Sequence, residues 1–173
     1  EKGLLAKFKR AKHQIDIILH SLEESRVAAT QFFNAVAEKF GNLNDVKRIR
    51  TKDIIYNYLD EPLKGLIDAI KGLIDHVNKE EDEILIKSYA KRCAGLRASL
   101  SFILDFEKED YVYWAEVSAR RRGIKYSLFA SPIEIAEDLD RQLFSAIKPI
   151  VVASATLATN NNFSFIKKRL GIK

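Results

Sequence analysis

From Gly3 to Phe40, apolar residues recur at Leu4, Phe8, Ala11, Ile15, Ile18, Leu22, Ala29, Val36 and Phe40, mostly alternating steps of four and three. That spacing draws one narrow seam along a long helix, with Lys, Glu and His on the remaining surface, so the seam is expected to pack against another helix. Gly41-Asn42 supplies the stop, because both residues tolerate the left-handed conformation in which many helices end. Leu43 to Thr51 is too short and turn-like to extend that helix and reads as a brief strand.

Two further helices are predicted. One runs from Asp53 to Asn78 with Ile54, Tyr58, Leu66, Ile70, Leu73, Ile74 and Val77 apolar; the other runs from Glu80 to Phe106 with Ile84, Leu85, Tyr89, Leu96, Leu100, Ile103 and Leu104. Pro62 is expected to break or kink the first, since a mid-helix proline removes a hydrogen bond and clashes with the preceding turn. The acidic run Glu80-Glu81-Asp82-Glu83 sits where a helix start favours negative charge.

The period then changes. Asp110 to Ser118 and Ile124 to Ala130 are rich in aromatic and β-branched residues, and Ala119 to Gly123 between them reads as a turn, which predicts an antiparallel hairpin. Ser131-Pro132 ends it, and Ile133 to Phe144 reads as a helix. Lys148-Pro149 leads into Ile150-Val151-Val152-Ala153, a continuous apolar run expected to be a buried parallel strand, ending in Ser154-Ala155-Thr156-Leu157. A last helix is expected around Phe163 to Leu170. The fold class is therefore mainly α (α+β): a long-helix bundle over residues 1–107, and a hairpin, helix and sheet edge over residues 108–173.

Composition fits a folded protein. The 173 residues are 47% hydrophobic and 31% charged, and no apolar run is long enough to span a bilayer. Without a signal-peptide pattern at Glu1-Lys2-Gly3, a cytoplasmic location with no membrane partner is expected. Methionine is absent throughout, which suggests a segment of a longer protein. Cys93 is the one cysteine, so the chain cannot close an internal disulfide or supply the thiolates of an iron–sulfur cluster alone. With 29 basic and 24 acidic residues, the net charge of +5 permits a polyanionic partner without demanding one.

Candidate chemistry begins with an absence. No Gly-x-x-x-x-Gly-Lys-Ser/Thr loop is present to cradle phosphates and no Asp-Glu-x-His to hold magnesium, so this chain alone is expected not to hydrolyse ATP. No catalytic residue or bound cofactor is assigned to it. Arg120, Arg121, Arg122 and Lys125 cluster at the hairpin turn near Tyr111, Tyr113, Trp114 and Tyr126. Cations track phosphates and aromatic faces stack on unpaired bases, so this set suits single-stranded nucleic acid. The bland alternative is a solvated turn whose aromatics pack inward, and Trp114 is read that way. Lys47, Arg48, Arg50 and Lys52 form a second basic cluster, with Arg48 and Arg50 as candidate DNA contacts, and Lys167-Lys168-Arg169 a third. His13, Asp16 and His20 share a helix face at ligand-like spacing but lack a fourth ligand and are read as surface.

The strand Ile150 to Ala153 with Ser154-Ala155-Thr156-Leu157, then Phe163 through Phe165 to Arg169-Leu170-Gly171-Ile172, resembles motif III and its sequel in DinG-like helicases. These are superfamily 2 enzymes related to XPD. Tyr113-Trp114-Ala115-Glu116 and Ser131-Pro132-Ile133-Glu134-Ile135 are similar to what that family carries just upstream, and together the pieces cover about the last third of the chain.

The resemblance implies a parent ATP-dependent DNA helicase that uses ATP and Mg, acts in DNA repair and moves 5′ to 3′ on single-stranded DNA. It implies that residues 1–107 are a helical arch inserted between motifs II and III, and that Ser154, Ala155 and Thr156 couple the nucleotide site to the DNA track. The remaining partners would be the rest of the motor and, through an uncovered sheet edge, another copy of the chain. Two other readings stay open at this stage: a non-enzymatic helical interaction module, and a stand-alone nucleic-acid-binding protein.

Overall fold

The computed structural model describes residues 8, 11–41, 44–121, 123–154, 158 and 162–172. Helix α1 spans Lys12–Phe40. It buries Ile18, Ser21, Ser25, Ala28, Phe32, Val36 and Phe40, so the seam is real but runs through small polar residues as well as apolar ones. It starts later than the sequence pattern suggests: the N–H of Ala11 closes a turn on the Phe8 carbonyl at 2.9 Å before the helix begins. At its other end Gly41 has φ of −55° and so is not itself left-handed, while Asn42 lies outside the described residues. Glycine is needed there for space, because a Cβ would lie 2.4 Å from the Ala37 carbonyl oxygen.

The brief strand is present as β1, Asp45–Ile49. Helix α2 spans Asp60–Gly72, followed by a 3-10 turn over Ile74–His76, and helix α3 spans Glu80–Leu104. Pro62 does not kink a longer helix. It stands in the first turn of α2, where its missing N–H is one that no helical carbonyl would have received. The residues before it, 51–59, form bends and turns instead of helix.

α2 is the middle of the bundle, packed against α1 on one side and α3 on the other. Phe8, Ala11, Ile18, Leu66, Ala69, Ile70, Leu73, Ile86 and Ala90 form one buried cluster. Two polar contacts fix α1 on α2: Gln14 Nε2 donates to the Ala69 carbonyl at 2.6 Å, and Ser25 Oγ donates to the carbonyls of Ser21 at 2.8 Å and Pro62 at 3.2 Å. Gly72 makes the first possible, since a Cβ there would meet Gln14 Nε2 at 2.7 Å. The start of α2 is tied to α3 by Arg97. Its Nη2 donates to Asp60 Oδ2 at 2.7 Å, and its Nε donates to the Asp60 carbonyl at 3.1 Å.

The hairpin forms as expected, from β2 (Tyr111–Arg120) and β3 (Gly123–Pro132). β1 adds to it antiparallel, giving a three-stranded sheet in the order β1-β2-β3. One face is buried, with Ile49 from β1 and Tyr113, Ala115 and Val117 from β2. Tyr113 is the anchor: its ring stacks on Phe106 at 4.3 Å, and its hydroxyl donates to the Lys108 carbonyl at 2.9 Å and accepts the Lys108 N–H at 3.1 Å.

The chain divides into two compact units, residues 1–109 with 113–130, and residues 110–112 with 131–173. The first holds the three long helices, β1 and most of the hairpin. In the second, helix α4 (Ala136–Leu139) continues as a π turn over Asp140–Phe144 and helix α5 spans Ser164–Leu170, so the single helix read from Ile133 to Phe144 is shorter and irregular. Gly171 ends α5 at φ of 73°, where a Cβ would lie 2.2 Å from the Ala136 carbonyl oxygen.

The strand expected at Ile150 to Ala153 is not formed. These residues have no regular structure, and Val151 is 90% exposed. A parallel strand needs a neighbouring strand to receive its hydrogen bonds, and among the described residues the sheet consists of β1, β2 and β3, with Asn162 a further isolated bridge residue. The fold remains mainly α with a small sheet, an α+β arrangement.

Candidate nucleic-acid interface

The second, outward face of the sheet brings together side chains that lie far apart in the chain. In β1 the register pairs Val46 with Glu116, Arg48 with Trp114 and Ile49 with Tyr113. Because strand side chains alternate, burying Ile49 and Tyr113 turns Arg48 and Trp114 to the other side. Trp114 stacks there on Phe129 of β3, with ring centroids 5.0 Å apart and planes at 11°. Its indole Nε1 donates to Glu116 Oε1 at 2.9 Å, which fixes the ring's orientation.

The same alternation carries Arg120 and Lys125 onto this face near the hairpin tip, with Arg121 in the turn and Arg50 just past β1. Arg48, Arg50, Arg120, Arg121 and Lys125 are all exposed. Among the described residues none of them has a carboxylate within ion-pairing distance, whereas Lys47, on the opposite parity of β1, lies 3.8 Å from Asp45. Two basic clusters separated by some seventy residues of sequence thus share one sheet, around a stacked aromatic pair. Arg122 lies outside the described residues.

Chemically, the face offers cations for phosphates, an aromatic platform at its centre and the Glu116 carboxylate beside that platform. Such a combination suits an extended strand with unpaired bases: backbone charge is met around the platform, and a base can stack on the rings. Tyr113, grouped with the arginines by sequence, is only 2% exposed and committed to the core, so it takes no part. Phe129 escaped the sequence reading. Counting from a two-residue turn at 121–122 sets it across from Trp114, and that was the available signal.

The other sequence candidates are dispersed. Ser154 is exposed in an irregular segment, while Ala155 and Thr156 lie outside the described residues. Arg169 on α5 donates to Glu134 Oε1 at 2.7 Å. His20 lies 3.4 Å from the Glu24 carboxylate on the surface of α1. Cys93 is half-buried in α3, and burial pushes its thiol pKa above the ordinary 9.0 despite the opposing charge of Arg92. No group of three His, Cys, Asp or Glu side chains among the described residues is arranged to hold a metal ion. No described helix is long and apolar enough to cross a membrane.

Comparison with known proteins points to helicase-related proteins. The chain is 28% identical over 116 residues to the 3′-5′ exonuclease DinG of Bacillus subtilis, covering 64% of this chain and 12% of that protein. It is 22% identical over 156 residues to the probable ATP-dependent helicase YpvA of the same organism, covering 87% of this chain and 23% of that protein. The chain therefore spans less than a quarter of the length of either relative. No family model matches it, and no solved structure does. At this level of identity the similarity supports a helicase-related parent.

Proposed function

We propose that this chain is part of a DinG-like, ATP-dependent DNA helicase, with residues 1–107 as its arch insertion and residues 108–173 as the adjoining part of the motor. In this reading the parent supplies the ATP and magnesium site and the rest of the motor. It moves 5′ to 3′ along single-stranded DNA in repair, and Ser154, Ala155 and Thr156 relay the nucleotide state. Activity resides in the parent; this chain contributes DNA contact. The sheet belongs to both proposed parts, since β1 comes from the arch side and β2 and β3 from the motor side.

The observation that carries the reading is the sheet face on which Arg48 and Trp114 meet, flanked by Arg50, Arg120, Arg121 and Lys125. A helicase track needs contacts that hold a strand by its charge and its stacking while ignoring its sequence, and this face offers both kinds. The similarity to two long bacterial proteins, one named a helicase and one an exonuclease, supports the same class of substrate.

Trp114 is the chain's single tryptophan, so its fluorescence reports directly on this face. Titration with an unlabelled single-stranded oligonucleotide should quench it, with an affinity that falls as salt rises. Replacing Arg48, Arg120 and Arg121 by Ala should flatten the log–log salt slope by roughly 0.7 for each phosphate that is no longer neutralised. An unquenched Trp114 together with an unchanged slope would remove the interface from the proposal.

A further inference from the structure

The two edges of the sheet are not alike. β1 is five residues long and carries Asp45, Lys47 and Arg48. Its register places the Val46 N–H on the outer side, where the Asp45 carboxylate accepts it at 2.9 Å. Shortness, charge and self-capping are the usual means of keeping an edge from recruiting another strand.

β3 is less protected than β1. It is ten residues long, and Lys125 is its one charge. Just beyond it the N–H of Ile133 donates to the Asp110 carbonyl at 2.9 Å, which sets the parity of the ladder. Odd-numbered residues of β3 turn their backbone groups to β2; Ile124, Tyr126, Leu128 and Ala130 turn theirs away. Among the described residues no backbone group meets them on that side. Pro132, which has no N–H, closes the row. Ala130 borders an open groove of about 640 Å³ whose α3 wall includes Ala94, Ala98 and Phe102, so small side chains leave room beside this edge.

We propose that β3 pairs with β3 of a second copy of the chain, antiparallel about a two-fold axis at Ser127, joining two three-stranded sheets into one of six strands. The edge is self-complementary in that register. Tyr126 faces Leu128 and Ile124 faces Ala130, each pair presenting its N–H and C=O groups to the other copy. Lys125 faces Phe129, so the lone cation meets an aromatic ring and not its own copy. The contact is isologous and closes on itself, and it gives a dimer and not a fibre. The outward face with its Trp114–Phe129 stack then continues across the axis.

Sedimentation equilibrium of the 173-residue chain, paired with amide hydrogen exchange at low and high protein concentration, tests this. The expected result is a monomer–dimer equilibrium in which the amides of Ile124, Tyr126, Leu128 and Ala130 gain protection as concentration rises. Ser127→Lys places two lysines against each other on the axis, and Ile124→Pro deletes an outward N–H; each should abolish the dimer. Circular dichroism and thermal melting identify any variant that fails to fold, and one folded variant of the two suffices. Val46→Pro, the matching change on the capped β1 edge, should leave the dimer intact. A chain that stays monomeric throughout would overturn the proposal. So would a dimer that leaves those amides unprotected, or protection gained only on adding an unrelated extended peptide.

Discussion

Arg48 lies directly across the β1–β2 ladder from Trp114, although about 65 residues of sequence separate them. The pairing places a guanidinium and an indole on one face, with Glu116 as the neighbouring carboxylate accepting the indole N–H at 2.9 Å. Glu116 orients the ring but also repels phosphate. Replacing it with Gln keeps an acceptor for the indole while removing the charge. Glu116→Gln should therefore tighten single-strand binding at low salt and lose that advantage as salt rises, whereas Trp114→Ala should weaken binding by about 1–3 kcal/mol. Fluorescence anisotropy with a labelled oligonucleotide reads both. Weaker binding by Glu116→Gln would show that its role is structural.

The buried hydroxyl of Tyr113 is a core feature with a measurable contribution. It both donates to and accepts from the backbone of Lys108, closing the turn between α3 and β2. Tyr113→Phe keeps the ring on Phe106 and deletes both bonds. It should cost about 1–2 kcal/mol in a chemical-denaturation experiment, because the Lys108 groups lose their partner. DNA binding by the folded variant should be unchanged, since Tyr113 points away from the interface.

Arg97 and Asp60 form a contact that lysine cannot replace. One guanidinium nitrogen reaches the carboxylate and a second reaches the carbonyl of the same residue, and the hydrogen bond to Asp60 raises the Arg97 pKa above its ordinary value. A single ammonium does not span both acceptors. Arg97→Lys should lower the melting temperature nearly as much as Arg97→Ala, and Asp60→Asn should lower it less, since the carbonyl acceptor remains. Full rescue by lysine would mean that charge alone matters there.

Cys93 gives a pH signature. Burial raises its pKa in the folded chain above the ordinary 9.0, so the unfolded thiol ionises first. The stability that Cys93 contributes is fully present below about pH 9 and is lost as pH climbs from there through the folded value. In denaturant titrations, the wild-type chain should lose stability above about pH 9 more steeply than Cys93→Ser. At neutral pH its alkylation should be slower than that of an unhindered thiol.

How far the sequence discloses this molecule depends on whether a feature is local. The three long helices, the hairpin and even the short strand β1 follow from apolar spacing and turn residues within one window. Pro62 is legible too, once its place in a first turn is set against an interior one; the pattern alone runs the helix back to Asp53, through residues where bends and turns prevail. The stretch Ile150 to Ala153 reads as a strand because its residues are apolar and β-branched, but that chemistry needs a neighbouring strand to act on. The interface lies between these cases. Each basic cluster is visible in the sequence, yet their union on one face depends on β1 pairing with β2 in a register that joins residues 45–49 to residues 113–117.

Residues 110–112 and 131–173 form a compact unit in which no described residue is buried. A segment whose described residues are all at least partly exposed has little heat of its own to absorb on melting, because unfolding enthalpy follows the surface and contacts given up. With about 0.7 kcal/mol per residue near 60 °C as the common yardstick, a calorimetric scan should return an enthalpy sized to the helical unit and its sheet, well short of that for 173 residues. Measured by heat, this is a smaller protein than its length.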